Sequence, residues 1–252
     1  MSGGHLRTAR KDGVLTVTID NPDRRNAIGT AALDWLDVLA DEIAQDSEIR
    51  AVVLTGAGDK AFTSGFDLKE LGDFKPENFL RSRFSDVFER WARLPVPVIG
   101  ALNGHCMGGG VHVAVICDAL ISVPGVRFMI PAARFGFIYV PASIERIKAA
   151  LGPSRAAQLL YLNQELTAED LAPSGFVSRI VDPADLQNVA AEMAANAAVL
   201  SPLAVSGMKE ILRESPSEDR VDEIVRKCAF SQDVVEGLNA MRGKRAPVFT
   251  GQ

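Results

Sequence analysis

Phe62-Thr-Ser-Gly-Phe-Asp-Leu68 and Cys106-Met-Gly-Gly-Gly-Val-His112 decide how this chain is read. Each follows an apolar run with the character of a β-strand, and each runs on into an expected helix. A glycine-anchored strand-to-helix turn leaves backbone N–H groups without intrahelical partners, aimed outward where the helix dipole adds positive potential. Two such turns facing one another can polarise a single carbonyl oxygen. The neighbouring stretches Val111-His112-Val113 and Pro131-Ala132-Ala133 hold no acid where catalytic carboxylates are to be looked for.

Around these turns the chain alternates between strand and helix patterns. Val14-Leu-Thr-Val-Thr-Ile19 is alternating and β-branched, and Asn21-Pro22-Asp23 stops it. Leu33, Leu36, Leu39 and Ile43 space a helical stripe over residues 30–45. Ala51-Val-Val-Leu-Thr55 is almost wholly apolar, as a strand covered on both faces is. Residues 96–102 and 119–123 are the next strands, with helices expected over 79–91 and from about Gly108 to just before Asp118. The alternation predicts a layered α/β domain. From about Ala142 the pattern becomes mostly helical. Residues 183–200 are alanine-rich, Ser201-Pro202 opens another helix, and residues 218–241 read as one last long helical stretch.

Composition narrows the function. The chain has 252 residues, 47% hydrophobic and 23% charged, with a formal net charge of -5. That balance, and a pI near 5.3, argue against a nucleic-acid binder. Cys106, Cys117 and Cys228 show neither disulfide nor zinc spacing, which points to a reducing, cytoplasmic compartment. No apolar run reaches membrane-spanning length, and Met1-Ser-Gly-Gly-His-Leu-Arg7 lacks the apolar stretch of a secretion signal. A serine or cysteine hydrolase triad ranks low: there are three histidines, no GxSxG elbow, and cysteines set in apolar runs.

Taken together with Asn21-Pro-Asp-Arg-Arg-Asn-Ala27, residues 61–71, Ala101-Leu-Asn-Gly-His-Cys-Met-Gly-Gly-Gly110 and the tail from Gly237 to Gly251, the chain resembles the crotonase superfamily over almost its whole length. This is the enoyl-CoA hydratase/isomerase fold. The resemblance implies an α/β spiral of ββα units over residues 1–195, followed by a helical trimerisation region over 196–252. It implies a homotrimer or hexamer and an acyl-CoA substrate, with coenzyme A arriving as part of that substrate rather than as a resident cofactor. No metal, nucleic acid or membrane is expected.

By the same resemblance, the backbone N–H groups of Phe66 and Gly109 form an oxyanion hole. Arg24 and Lys69 are candidates for phosphate contact, or else ordinary solvated charges. Asn26, Ala27, Ser64, Gly65, Asp67 and Leu68 frame pantetheine and adenine, largely through backbone. Lys244, Arg245 and Phe249 are weaker candidates for closing over the nucleotide, from the same or a neighbouring subunit.

The chain departs from the family's two-carboxylate pattern. One glutamate belongs two residues beyond the triple glycine and another just after a proline in the next segment; here His112 and Ala132 stand there. Concerted hydration through two acids is therefore disfavoured, leaving isomerisation, decarboxylation, hydrolysis, atypical hydration or non-catalytic acyl-CoA binding. His112 is expected in the first turn of its helix, either as a neutral base or hydrogen-bond donor or as a structural histidine. Tyr139 resembles the tyrosine of the methylmalonyl-CoA decarboxylase branch and is otherwise an amphipathic wall residue. His105 reads as structural, and Glu70, Asp73 and Glu145 as solvated acids. Phe66, Phe135 and Phe137 suggest a bulky apolar acyl pocket.

Overall fold

The computed structural model describes residues 5–71 and 82–252. Strands β1 (Leu6–Lys11) and β2 (Val14–Ile19) form an antiparallel hairpin closed by Asp12 and Gly13. Both turn residues have positive φ, as the tightest two-residue hairpin turn requires. β1 escaped the sequence reading because only Leu6 of its six residues is buried, as befits an edge strand. β2 is followed by α1 (Thr30–Gln45), β3 (Ala51–Gly56), β4 (Ala61–Thr63) and α2 (Arg83–Ala92). Next come β5 (Val98–Leu102), β6 (His105–Met107), α3 (Gly109–Ile116), β7 (Ala119–Ser122) and β8 (Arg127–Met129). The expected helix over 79–91 is thus α2; its first expected residues lie outside the described ones, as does Asp73.

The strands make two sheets. A six-stranded sheet has the order β1-β2-β3-β5-β7-β10, where β10 is Arg179–Ile180, and is parallel from β2 onward. All six residues of β3 are buried, for the reason expected: both faces are covered. Val52 and Leu54 face the large core under α1 and α2. Ala51 and Val53 face the other way, onto Leu186, Ala190, Ala194 and Ala198. Those four recur every fourth residue on α6 (Leu186–Ala198), so the alanine-rich stretch is a helix stripe fitted close to the sheet. The expected division at residue 195 falls inside this helix.

The smaller sheet, β4-β6-β8-β9 with β9 at Leu166–Thr167, was not anticipated, since its strands are only two or three residues long. It positions the site. β4 and β6 are parallel neighbours, so the turns that leave them emerge side by side at one sheet edge. The second turn enters α3, buried on all sides. The first enters a 3-10 turn, Leu68–Leu71, in place of the expected α-helix.

The chain continues through α4 (Pro141–Leu160), interrupted at Gly152, and the one-turn α5 (Ala168–Leu171). α7 (Pro202–Glu214) begins where Ser201-Pro202 indicated, with the Ser201 hydroxyl accepting from Ala204 N. The single long helix expected over 218–241 is two, α8 (Glu218–Ala229) and α9 (Gln232–Gly243). Ser231 breaks it by capping α9 through Val234 N, leaving Phe230 exposed at the joint. Asp118 ties these helices to the sheet: it accepts from Val98 N at 2.8 Å and Lys209 Nζ at 2.7 Å, and pairs with Arg213 at 3.1 Å.

Candidate functional site

The two glycine turns touch. A Cβ built on Gly65, whose φ is +82°, would lie 2.5 Å from the nitrogen and Cα of Gly109. Glycine is thus required at 65 both by its left-handed backbone and by this close approach. The N–H groups of Phe66 and Gly109 donate no hydrogen bond among the described residues, although their neighbours do: Gly65 N donates to Thr63 Oγ1 and Gly108 N to Met129 O.

The first turn is braced from behind by the loop after β2. Ile28 N donates to Gly65 O, Asp67 N to Ile28 O, and Ser64 N to Arg25 O. Asn26 is the hub of this brace. It is fully buried, its Nδ2 donates to Ala57 O and Ala61 O, and its own carbonyl accepts from the Thr63 hydroxyl at 2.6 Å.

Both turns open onto a cavity of about 800 Å³. Arg24, Ala27, Ser64, Phe66, Asp67, Leu68, Lys69, Gly109, His112 and Tyr139 all line it. Asn26 and Gly65 stand behind its wall, and Phe249 lies elsewhere, with its carbonyl accepting from Arg50. Arg24 is not an open cation: its guanidinium grips the Asp67 carboxylate through two contacts of 2.6 Å. The Lys69 side chain makes no ion pair among the described residues. Glu70, expected as a solvated acid, accepts from Thr30 N at 2.7 Å and so holds the N-terminus of α1; that hydrogen bond keeps its pKa below the ordinary value. Glu145 is exposed and paired with Lys148. His105 opens β6, where its Nδ1 accepts from Arg127 N, and burial lowers its pKa.

Aromatic side chains form the walls. Phe66 meets Phe84 edge-on at 6.5 Å, and Phe135 and Phe137 pack at 6.3 Å. Phe84 lies against Gly109, where even a methyl group would come within 2.8 Å of its ring. The Tyr139 phenol is pushed up by burial, so it stays protonated and can donate.

The sequence did not disclose the polar end of this cavity. His112 is only 2% exposed. Its Nδ1 lies 3.2 Å from Ser143 Oγ, and Ser143 Oγ lies 2.8 Å from Ser85 Oγ. On the other side, Nε2 faces Glu89 Oε1 at 3.4 Å, and neither atom has another hydrogen-bond partner among the described residues. Arg146 Nε grips the second Glu89 oxygen at 2.6 Å and bridges on to Glu214 at 2.9 Å. Burial works to raise the Glu89 carboxyl, but His112 and Arg146 outweigh it and hold the group below its ordinary value. In the neutral imidazole that carries its proton on Nε2, toward the ionised Glu89, Nδ1 accepts from the Ser143 hydroxyl and Ser85 Oγ is placed to donate to Ser143 Oγ.

Ser–His–carboxylate is the constellation ranked low from the sequence. It is assembled from three helices: Ser143 opens α4, His112 lies on α3, and Glu89 on α2 with Ser85 one turn before it. No local motif signals it. The available hint was weak: Ser85 and Glu89 stand four apart, the spacing of one helix face.

Comparison with known proteins agrees with this architecture. Residues 9–252 match the family model described as enoyl-CoA hydratase/isomerase. The short-chain-enoyl-CoA hydratase of Clostridium acetobutylicum is 32% identical over 248 residues, which span 93% of this chain and 94% of that protein. The carnitinyl-CoA dehydratase of Escherichia coli K12 is 29% identical, with 98% of both chains covered. Among solved structures, an enoyl-CoA hydratase from Bacillus anthracis superposes with a TM-score of 0.90 at 26% identity, over 99% of this chain and all of the other.

Proposed function

From the premise that the chain belongs to the enoyl-CoA hydratase/isomerase family, we propose that its reaction runs through an acyl-CoA thioester whose carbonyl oxygen is held by the N–H groups of Phe66 and Gly109. The observation that carries this reading is the contact of Gly65 with Gly109, which brings two N–H groups, unpartnered among the described residues, to the wall of one cavity. Negative charge developing on a thioester oxygen, in an enolate or a tetrahedral adduct, meets two donors already in place. Such donors contribute about 3 kcal/mol each to the transition state. The aromatic walls take the acyl chain. The phosphates lie toward Lys69 at the mouth, while Arg24 contributes mainly by fixing Asp67.

The residue at 112 sets the chemistry apart from two-carboxylate hydration. His112 and Ala132 line the cavity together, so one imidazole replaces a pair of acids. A single base suits reactions that do not add water across a double bond in concert. The exposed apolar side chains Met208 and Leu212 on α7, Phe230 at the α8–α9 joint and Met241 on α9 support assembly into trimers or pairs of trimers.

The test is mass-resolved product analysis with crotonyl-, 3-enoyl-, malonyl- and benzoyl-CoA, alongside calorimetric binding of CoA. Conversion of at least one thioester, abolished by Gly109→Val, is the expected result. CoA binding without any conversion would leave a binder in place of an enzyme and overturn the reading.

A further inference from the structure

We propose that Ser143 is a nucleophile and that this chain hydrolyses acyl-CoA thioesters through an acyl-serine, with His112 as its base and Glu89 as the positioning residue. The inference rests on the reading that the thioester carbonyl sits at Phe66 and Gly109. Three features of the cavity carry it.

The first is that both nitrogens of His112 are engaged. Nε2 faces Glu89 at 3.4 Å and Nδ1 takes the Ser143 hydroxyl at 3.2 Å. The imidazole has no lone pair left for a substrate proton. Chemistry passes instead through the oxygen that the imidazole activates, which is how a nucleophile, its base and an orienting acid divide their work.

The second is the arrangement of charge along the chain of contacts. Arg146 anchors Glu89 at 2.6 Å and is itself anchored by Glu214. The carboxylate is therefore held ionised beside the imidazole and stabilises the imidazolium that forms when Ser143 loses its proton. Ser85 Oγ, 2.8 Å from Ser143 Oγ, is placed to donate to it, so that the Ser143 hydroxyl is oriented from both sides.

The third is shared scaffolding. Gly109 and His112 lie one turn apart on α3, and Ser143, Ser85, Phe66 and Gly109 line the same cavity. Activated hydroxyl and carbonyl donors thus share one chamber, as acyl transfer requires.

The step balances without an added reagent. Ser143 Oγ bonds to the thioester carbon as its proton passes to His112 Nδ1, and the carbonyl electrons move onto the oxygen held by Phe66 and Gly109. Collapse breaks the C–S bond, and the departing CoA sulfur takes the proton from His112. Water then attacks the acyl-serine, giving its proton to His112, which returns it to Ser143 Oγ as the carboxylic acid leaves.

Butyryl-CoA, benzoyl-CoA and crotonyl-CoA are mixed in excess with the full-length protein. Thiol release is followed with a chromogenic disulfide, and quenched samples are taken for intact mass and peptide mapping. The expected result is CoA thiol release with a transient acyl adduct on the peptide bearing Ser143. In Ser143→Ala and His112→Ala the release should fall about a thousandfold while acyl-CoA affinity stays within a factor of about three. Glu89→Gln should lower kcat with little change in KM. Thiol release in Ser143→Ala within about threefold of wild type overturns the proposal. So does conversion of acyl-CoA by the wild type with its thioester intact, which leaves the oxyanion reading standing. Failure of the wild type to bind any acyl-CoA overturns both. The adduct measurement uses the unaltered protein, so it does not depend on a variant folding.

Discussion

Gly65 and Gly109 meet backbone to backbone, with room for no side chain between them: a single methyl on Gly65 would stand 2.5 Å from the Gly109 nitrogen. The spacing of the two donor turns is therefore set by a hard contact rather than by a flexible side chain. Gly65→Ala forces the turns apart and places alanine at a φ of +82°. It should cost about 1–3 kcal/mol in stability and about a hundredfold or more in thioester turnover. Thermal melts and steady-state kinetics on the purified variant check both figures, and a variant with wild-type turnover would refute the contact's role.

Lys69 and Arg24 line the same mouth but differ in employment, since Arg24 is committed to Asp67. Lys69→Ala should weaken CoA binding by about three- to tenfold at low salt, and the loss should shrink as ionic strength rises. Arg24→Ala should instead lower the melting temperature by releasing the buried Asp67 carboxylate. Calorimetric titration at two salt concentrations separates the two effects.

Acid should unfold the protein through the Glu89–Arg146–Glu214 bridge. Burial opposes ionisation of both acids, yet their partners hold both below the ordinary carboxylate value. A carboxyl with a folded-state pKa below its unfolded one adds stability that is fully present above about pH 4.5 and drains away as pH falls through the lowered value. Melting temperature should thus be flat from pH 7 to about 5 and then fall. Glu89→Gln should start lower and fall less steeply; an identical slope would show that the bridge carries no linkage.

The thiols should divide by burial. Cys106 and Cys117 are buried; burial raises both, with Cys117 pushed up to about 12 by burial and then by the adjacent Asp118. Cys228 is partly accessible. A thiol reagent at neutral pH should therefore label no more than one cysteine in the native protein and all three in denaturant, as peptide mapping would show.

Much of this was legible in the chain, unevenly and for physical reasons. Strands buried on both faces, such as β3, announce themselves because every residue is apolar or nearly so. β1 and the three-residue strands of the small sheet do not, since so few buried residues carry no periodicity. Residues 218–241 read as one helix because the apolar stripe persists, while the break depends on the capping geometry of Ser231. The glycine turns were readable because backbone needs fix the residue type. The assembly of Ser143, His112 and Glu89 was not, because each side chain comes from a different helix and is brought together only by packing.

Since Gly109 and His112 ride on one rigid helix, the donors of the proposed carbonyl site belong to the main chain and its proposed reactive groups to side chains. Because no side chain supplies the grip, it is lost only where a substitution displaces the backbone itself, as at Gly65 or Gly109. The reactive side chains can be exchanged without moving the main-chain donors. A fold organised this way lets the reaction change while the substrate handle stays the same, and a change at His112 would have to carry its buried partners Glu89 and Ser143 with it.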